Sequence, residues 1–222
     1  MLFFATLSSE LHASWQVPLN AEEVGNVTSA AMSQYVSDDS SSPAGIQNQR
    51  ELRSISSNSI PQHPLGVQVL LVELKEQKAS DQAVRLAEVF VFDYQRGVTE
   101  LNLVDVERNE LIDKRYISSV HLPLSEAEIT YSKALIWNNA EFKSRVQREI
   151  ETLQTDSGNV DFTDLQTRVS VLVPNGRMAD QSELCGANRC ALISLFSADN
   201  YSFSIEPVIN LMSGDIYLDL VQ

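Results

Sequence analysis

The residues closest to carrying chemistry of their own are Cys185 and Cys190, the only cysteines, in the run Cys-Gly-Ala-Asn-Arg-Cys. A redox pair usually takes the form Cys-x-x-Cys at a helix start, where the thiolate is stabilised. The wider spacing here allows a short local bridge that closes a glycine-containing loop just before a strand. We read the pair as a structural disulfide, with a redox pair as the alternative; the bridge requires an oxidising compartment. The three histidines, His12, His63 and His121, are isolated, with no His-x-His pair. Metal sites need convergent ligands, so the expectation is no metal and no cofactor. A general-base role for His63 or His121 would need a carboxylate or a free thiol within hydrogen-bond reach. Asp105, between Val104 and Val106, should face away from both valines in a strand. It reads as a polar sheet-face residue or as part of a ligand groove. The adjacent carboxylates Glu22-Glu23 and Asp38-Asp39 read as solvated charge. No Gly-x-Ser-x-Gly, phosphate loop or dinucleotide fingerprint occurs, and no catalytic residue is assigned.

Any such group must be held by folded elements, and these are legible from about residue 63 onward. Before that, Asn20 with Glu23 three residues on has capping-box spacing, which predicts a helix over 20–36. The run Ser37-Asp-Asp-Ser-Ser-Ser-Pro-Ala-Gly45 is linker-like. Strands are predicted over 66–75, 84–94, 98–106 and 111–117, with turns at Gln95-Arg-Gly97 and Arg108-Asn-Glu110, a meander. Ser125 with Glu128 gives a second capping box. Ile129, Leu135 and Ile136 form the apolar face behind it. Asn138-Asn139 interrupts, and Phe142, Val146, Ile150 and Leu153 predict a further helix over 140–153. Strands follow at 165–173, 190–196, 201–210 and 215–221.

The meander occurs twice. Val104-Asp-Val-Glu-Arg-Asn-Glu-Leu-Ile112 and Ile209-Asn-Leu-Met-Ser-Gly-Asp-Ile-Tyr217 share the order apolar, polar, apolar, turn, acid, apolar. This alignment pairs Asp105 with Asn210, so both are candidates for a ligand groove. The pattern predicts an α+β fold of two related lobes, each a curved sheet covered on one face by helix. The expected division is an arm over 1–62, a first lobe over 63–121 and a second lobe over 122–222. The helix at 20–36 is the expected cover of the first sheet.

At this point the residues resemble a family. His63-Pro-Leu65, a strand, then Ala87-Glu-Val-Phe-Val-Phe-Asp93, a glycine turn and Val104-Asp-Val106 resemble the amino-terminal domains of copper amine oxidases. So does Leu122-Pro-Leu-Ser-Glu-Ala-Glu128 leading into Ala134-Leu-Ile136. The resemblance spans residues 61 to 221 through loose motifs. It implies two tandem cystatin-like domains that precede the catalytic one in that family. The family's quinone-forming motif, Thr-x-x-Asn-Tyr-Asp/Glu, is not reproduced: Asn200-Tyr201 is flanked by Ser197 and Ser202 instead. Copper and quinone chemistry are therefore not carried over. The resulting expectation is a non-catalytic accessory or binding protein. A cystatin-like protease inhibitor is one alternative, although the Gln-x-Val-x-Gly hairpin is missing. An enzyme built on an isolated histidine is the other.

Charge narrows the partners. Thirty acidic against 16 basic residues give a net charge of −14, which repels nucleic-acid backbones and anionic membrane surfaces. No apolar run reaches the roughly 20 residues of a membrane span. A protein, a small ligand or a second copy of the chain in a homodimer stays open as partner. Met1-Leu-Phe-Phe-Ala-Thr-Leu7 reads as the end of an export signal, which implies an extracellular or periplasmic location. Asn26-Val-Thr28 and Asn200-Tyr-Ser202 are formal glycosylation triplets.

Overall fold

The structure, a computed structural model, describes residues 17–37, 63–75, 84–118, 121–157, 165–174, 184–198 and 201–220. The export stretch, His12, Asp38-Asp39 and Asn200 lie outside the described residues. The described elements are three helices and two four-stranded antiparallel sheets, an α+β fold. In chain order they are α1 (Ala21–Ser37), β1 (Val67–Leu74), β2 (Leu86–Asp93), β3 (Val98–Asp105), β4 (Glu110–Ile117), α2 (Glu126–Asn138), α3 (Ala140–Ser157), β5 (Gln166–Val171), β6 (Cys190–Phe196), β7 (Val208–Asn210) and β8 (Ile216–Tyr217). Both sheets follow sequence order, β1-β2-β3-β4 and β5-β6-β7-β8, as the repeated meander predicts. No described helix is long and apolar enough to cross a membrane.

The chain forms two compact units: Met1–Ile60, Leu71–Val91 and Glu100–Ile117 make one, and Pro61–Leu70, Phe92–Thr99 and Ser118–Gln222 the other. A division that follows the chain would have kept 63–121 together. The structure groups 61–70 and 92–99 with the later residues because their apolar side chains belong to that core. Leu65, Leu70, Phe92 and Tyr94 are buried in one cluster with Ile136, Phe142, Val146 and Ile193.

In the first unit, α1 starts with the capping box its sequence encodes. The Asn20 Oδ1 accepts from the Glu23 N–H at 3.0 Å, and the Glu23 carboxylate accepts from the Asn20 N–H at 2.8 Å. Val27 and Ala31, one turn apart, are fully buried. Further along, Gln34 donates to the Asn102 side-chain oxygen at 3.1 Å and Tyr35 to the Glu100 carboxylate. Glu100, Asn102 and Val104 alternate onto one face of β3, so α1 covers that face, as expected for the first sheet.

In the second unit, α2 carries the Ser125–Glu128 capping box, and Asn139 ends it while starting α3 by accepting from the Phe142 N–H at 2.8 Å. Phe142, Val146 and Ile150 form one buried stripe of α3, each contributing about 1.5–3 kcal/mol by leaving water. The pairing of β5 with β6 runs from Gln166↔Phe196 to Val171↔Ala191.

Two predicted strands are shorter than their alternation suggested. The strand expected over 201–210 is reduced to Val208–Asn210, with an isolated bridge between Phe196 and Ser202. The Ser204 N–H donates to the Glu149 carboxylate at 2.7 Å instead of joining the ladder, and Pro207 has no N–H to give. The strand expected over 215–221 is limited to Ile216–Tyr217.

Candidate functional site

The residues singled out in the sequence have mostly local structural tasks. Cys185 and Cys190 form a disulfide with Cα atoms 5.7 Å apart, and both are fully buried. Val104, Asp105 and Val106 are all buried where β3 ends and the chain turns. The Asp105 Oδ1 accepts from the N–H groups of Glu107 and Arg108 at 2.9 and 3.0 Å. Asn210 acts likewise, its Oδ1 accepting from the Met212 N–H at 2.9 Å. Asp93 forms a third such turn, accepting from Gln95 and Arg96. In each case the residue four positions on has a positive φ: Gly97 at 66°, Asn109 at 54° and Gly214 at 78°. The structure therefore places Asp105 and Asn210 at matching turns in separate units, with an oxygen of each already accepting backbone hydrogen bonds.

His63 accepts from the Leu65 N–H at 3.2 Å and stacks on Tyr94, ring centroids 4.5 Å apart. The His121 Nδ1 is buried without a hydrogen-bond partner. No cysteine is free, and neither histidine bonds a carboxylate among the described residues. Tyr201 lies outside the strands, 40% exposed, its hydroxyl donating to Glu149 at 3.2 Å. Desolvation and the neighbouring Glu149 carboxylate raise its phenol above the ordinary value.

Sequence reasoning missed the most heavily bonded cluster. Arg189, inside the disulfide ring, and Glu128, the capping residue of α2, form an ion pair in which both side chains are 0% exposed. Arg189 donates through Nε and a terminal nitrogen to the two Glu128 oxygens. It also donates to the carbonyls of Leu122 and Pro123 at 2.9 and 2.6 Å. Glu128 further accepts from the Ser125 N–H and from the Tyr94 hydroxyl. Burial and the adjacent carboxylate push the Tyr94 phenol far above its usual value, so it stays a donor. With its donors and acceptors matched, this network organises the core and leaves no face for a substrate. The first unit has a counterpart: fully buried Glu100 pairs with Lys114 at 2.8 Å, and the Lys114 ammonium lies 5.3 Å from the Tyr35 ring centre. The signal for the Arg189 pair was present in part, since a capping glutamate and an arginine beside a cysteine are both visible, but nothing local links them.

Among the described residues, one pocket with room for a ligand, of about 300 Å³, lies in the second unit. One wall is the α3 face carrying Arg145, Arg148, Glu149 and Thr152, which recur at helical spacing. The opposite wall is Ser204–Glu206, with Ile205 and Leu218 supplying an apolar floor. Most of its polar groups are already engaged. Arg145 pairs with Glu141 at 2.7 Å and with Asp219. Hydrogen bonding to Arg145 lowers the Asp219 carboxyl below its ordinary value. Glu149 accepts from the Ser204 N–H and hydroxyl at 2.7 and 2.9 Å and from Tyr201. Among the described residues the exceptions are Arg148 and Glu206. Arg148 donates only through Nε, to the Ser144 carbonyl at 3.4 Å. Glu206 accepts only from the Ser194 hydroxyl, at 3.3 Å. Neither is part of an ion pair among the described residues.

No protein-family model matches the chain, and no curated protein sequence matches it. Among solved structures it is similar to a copper-containing benzylamine oxidase from Hansenula polymorpha, with a TM-score of 0.49 and 12% identity over 90% of this chain and 29% of that chain. The chain thus corresponds to under a third of that neighbour's length, and a likeness at this level transfers no residue role.

Proposed function

We propose that the chain is a non-catalytic accessory or binding module, built on the plan of the amino-terminal domains of copper amine oxidases and working in an extracellular or periplasmic compartment. The α3 pocket carries this reading: beside an apolar floor it presents Arg148 and Glu206, neither in an ion pair among the described residues, which suits the holding of a ligand. The α+β plan of two meanders is in keeping with the sequence motifs, and the buried disulfide is in keeping with an oxidising location.

Copper chemistry does not fit the donors present. His63 uses its Nδ1 on the Leu65 N–H, and no group of three or more His, Cys, Asp or Glu side chains able to hold a metal ion occurs among the described residues. Tyr201 has Glu149, Ser197 and Phe203 as neighbours rather than a set of imidazoles. The test is copper analysis of the purified protein, with a redox-cycling quinone stain on the same sample. We expect no stoichiometric copper and no stain. Copper at one equivalent with a positive stain would overturn the non-catalytic reading and return Asn200-Tyr201 to consideration.

A further inference from the structure

We infer that the α3 pocket binds a small zwitterion carrying both a carboxylate and an ammonium group, of amino-acid to dipeptide size. The inference rests on the binding-module reading and names its ligand class.

The argument is one of elimination among charged groups. Arg145 is neutralised by two carboxylates, Glu141 and Asp219. Glu149 is held by the backbone and hydroxyl of Ser204 and by Tyr201. Both are walls, with their hydrogen-bonding capacity turned toward protein. What remains is Arg148, an exposed planar guanidinium whose terminal nitrogens have no partner among the described residues, and Glu206, a carboxylate with one long contact to a hydroxyl. They line the same pocket but are not within ion-pair distance of each other, so neither cancels the other. A guanidinium recognises a carboxylate through paired N–H donors. A carboxylate in the same pocket recognises an ammonium. Arg148 is exposed and Glu206 half-buried, so a ligand with one charge leaves the other group to water and makes one charge-assisted contact where a zwitterion makes two. A ligand with both charges satisfies the two together. The volume, about 300 Å³, sits at the lower end of ligand sites, which limits the occupant to a small molecule. Ile205 and Leu218 favour one with a short apolar side chain.

The test uses the full chain, ¹⁵N-labelled, titrated with L-leucine and with its two halves, 4-methylpentanoate and isopentylamine. Leucine should shift amides of 145–152 and 204–206 saturably. Each half should bind about tenfold or more weakly, since each loses one charge-assisted contact worth roughly that factor. Arg148→Gln should bring leucine down to the level of isopentylamine, and Glu206→Gln down to that of 4-methylpentanoate. Both positions are on the surface of the pocket, so folding is checked by the unchanged remainder of the spectrum. Equal binding of leucine and one half would overturn the zwitterion inference and leave the binding reading in place. No saturable shift in this region with any of the three would remove the pocket as a site, and the binding reading with it.

Discussion

At the scale of single residues, the buried Arg189–Glu128 pair decides more than any surface contact. Its charges are removed from water, so their attraction matters less than the penalty of separating them. Replacing one partner leaves the other charge without compensation. Glu128→Gln should therefore destabilise the protein by about 3–5 kcal/mol, read from urea unfolding. Replacing both by apolar residues, Glu128→Leu with Arg189→Met, should recover only part of that loss, because the α2 cap, the Tyr94 hydroxyl and the Leu122 and Pro123 carbonyls lose their partners. A cost under about 1 kcal/mol for Glu128→Gln would place the pair at the surface, where ion pairs contribute little. The exposed Arg145–Asp219 pair behaves differently. Because Arg145 lowers the Asp219 carboxyl below its ordinary value, the stabilising charge is present above the ordinary carboxylate range and is lost as pH falls through the lowered value. An NMR titration of the Asp219 side chain should show a midpoint below 3.8, and Arg145→Gln should raise it. An unchanged midpoint would mean that the pair does not persist in solution.

At the scale of elements, the disulfide, α2 and the β6 start form one assembly, because Arg189 lies inside the disulfide ring, next to Cys190 that opens β6, while its guanidinium reaches the α2 cap. A bridge with a sequence separation of 5 closes a very short loop, for which chain entropy predicts about 2 kcal/mol. The double change Cys185→Ala with Cys190→Ala should cost that much in the thermal or urea transition. A larger loss would mean that the bridge also holds Arg189 against Glu128, and the excess should vanish when Glu128→Leu and Arg189→Met are already present. These elements also mark what a sequence can and cannot reveal. The capping boxes at Asn20/Glu23 and Ser125/Glu128 were legible because their partners lie three residues apart. The repeated turn was legible as a pattern because the residue that closes it and the positive-φ position sit at fixed spacing. The strand over 201–210 was overextended for a physical reason: its alternation is sound, but Ser204 bonds Glu149, far away in sequence. The Arg189–Glu128 pair and the α3 pocket were invisible for the same reason, since each is made by segments that only folding brings together.

At the scale of the whole molecule, the two compact units are not two consecutive stretches of chain. The division falls inside β1, β2 and β3, so Pro61–Leu70 and Phe92–Thr99 belong to the unit completed by Ser118–Gln222. A fragment starting at residue 118 would contain α2, α3, the disulfide and the whole second sheet, and by its elements alone it would pass for a domain. It would lack Leu65, Leu70, Phe92 and Tyr94, all buried in its core cluster. Each lost side chain removes about 1.5–3 kcal/mol of burial and opens a cavity at the place it filled. Glu128 would also lose the Tyr94 hydroxyl, and Ser125 the Gln68 side chain that meets it at 3.1 Å. Against a total stability of about 5–15 kcal/mol for a domain, losses of this size leave no folded state. The fragment 118–222 should therefore unfold without a cooperative urea transition and give poorly dispersed amide signals, while the full chain gives a sigmoidal transition. A cooperative transition in the fragment, with dispersed signals, would show instead that the second sheet and its helices form a sufficient core by themselves. The segments 61–70 and 92–99 would then be ornaments on a domain whose boundary follows the chain.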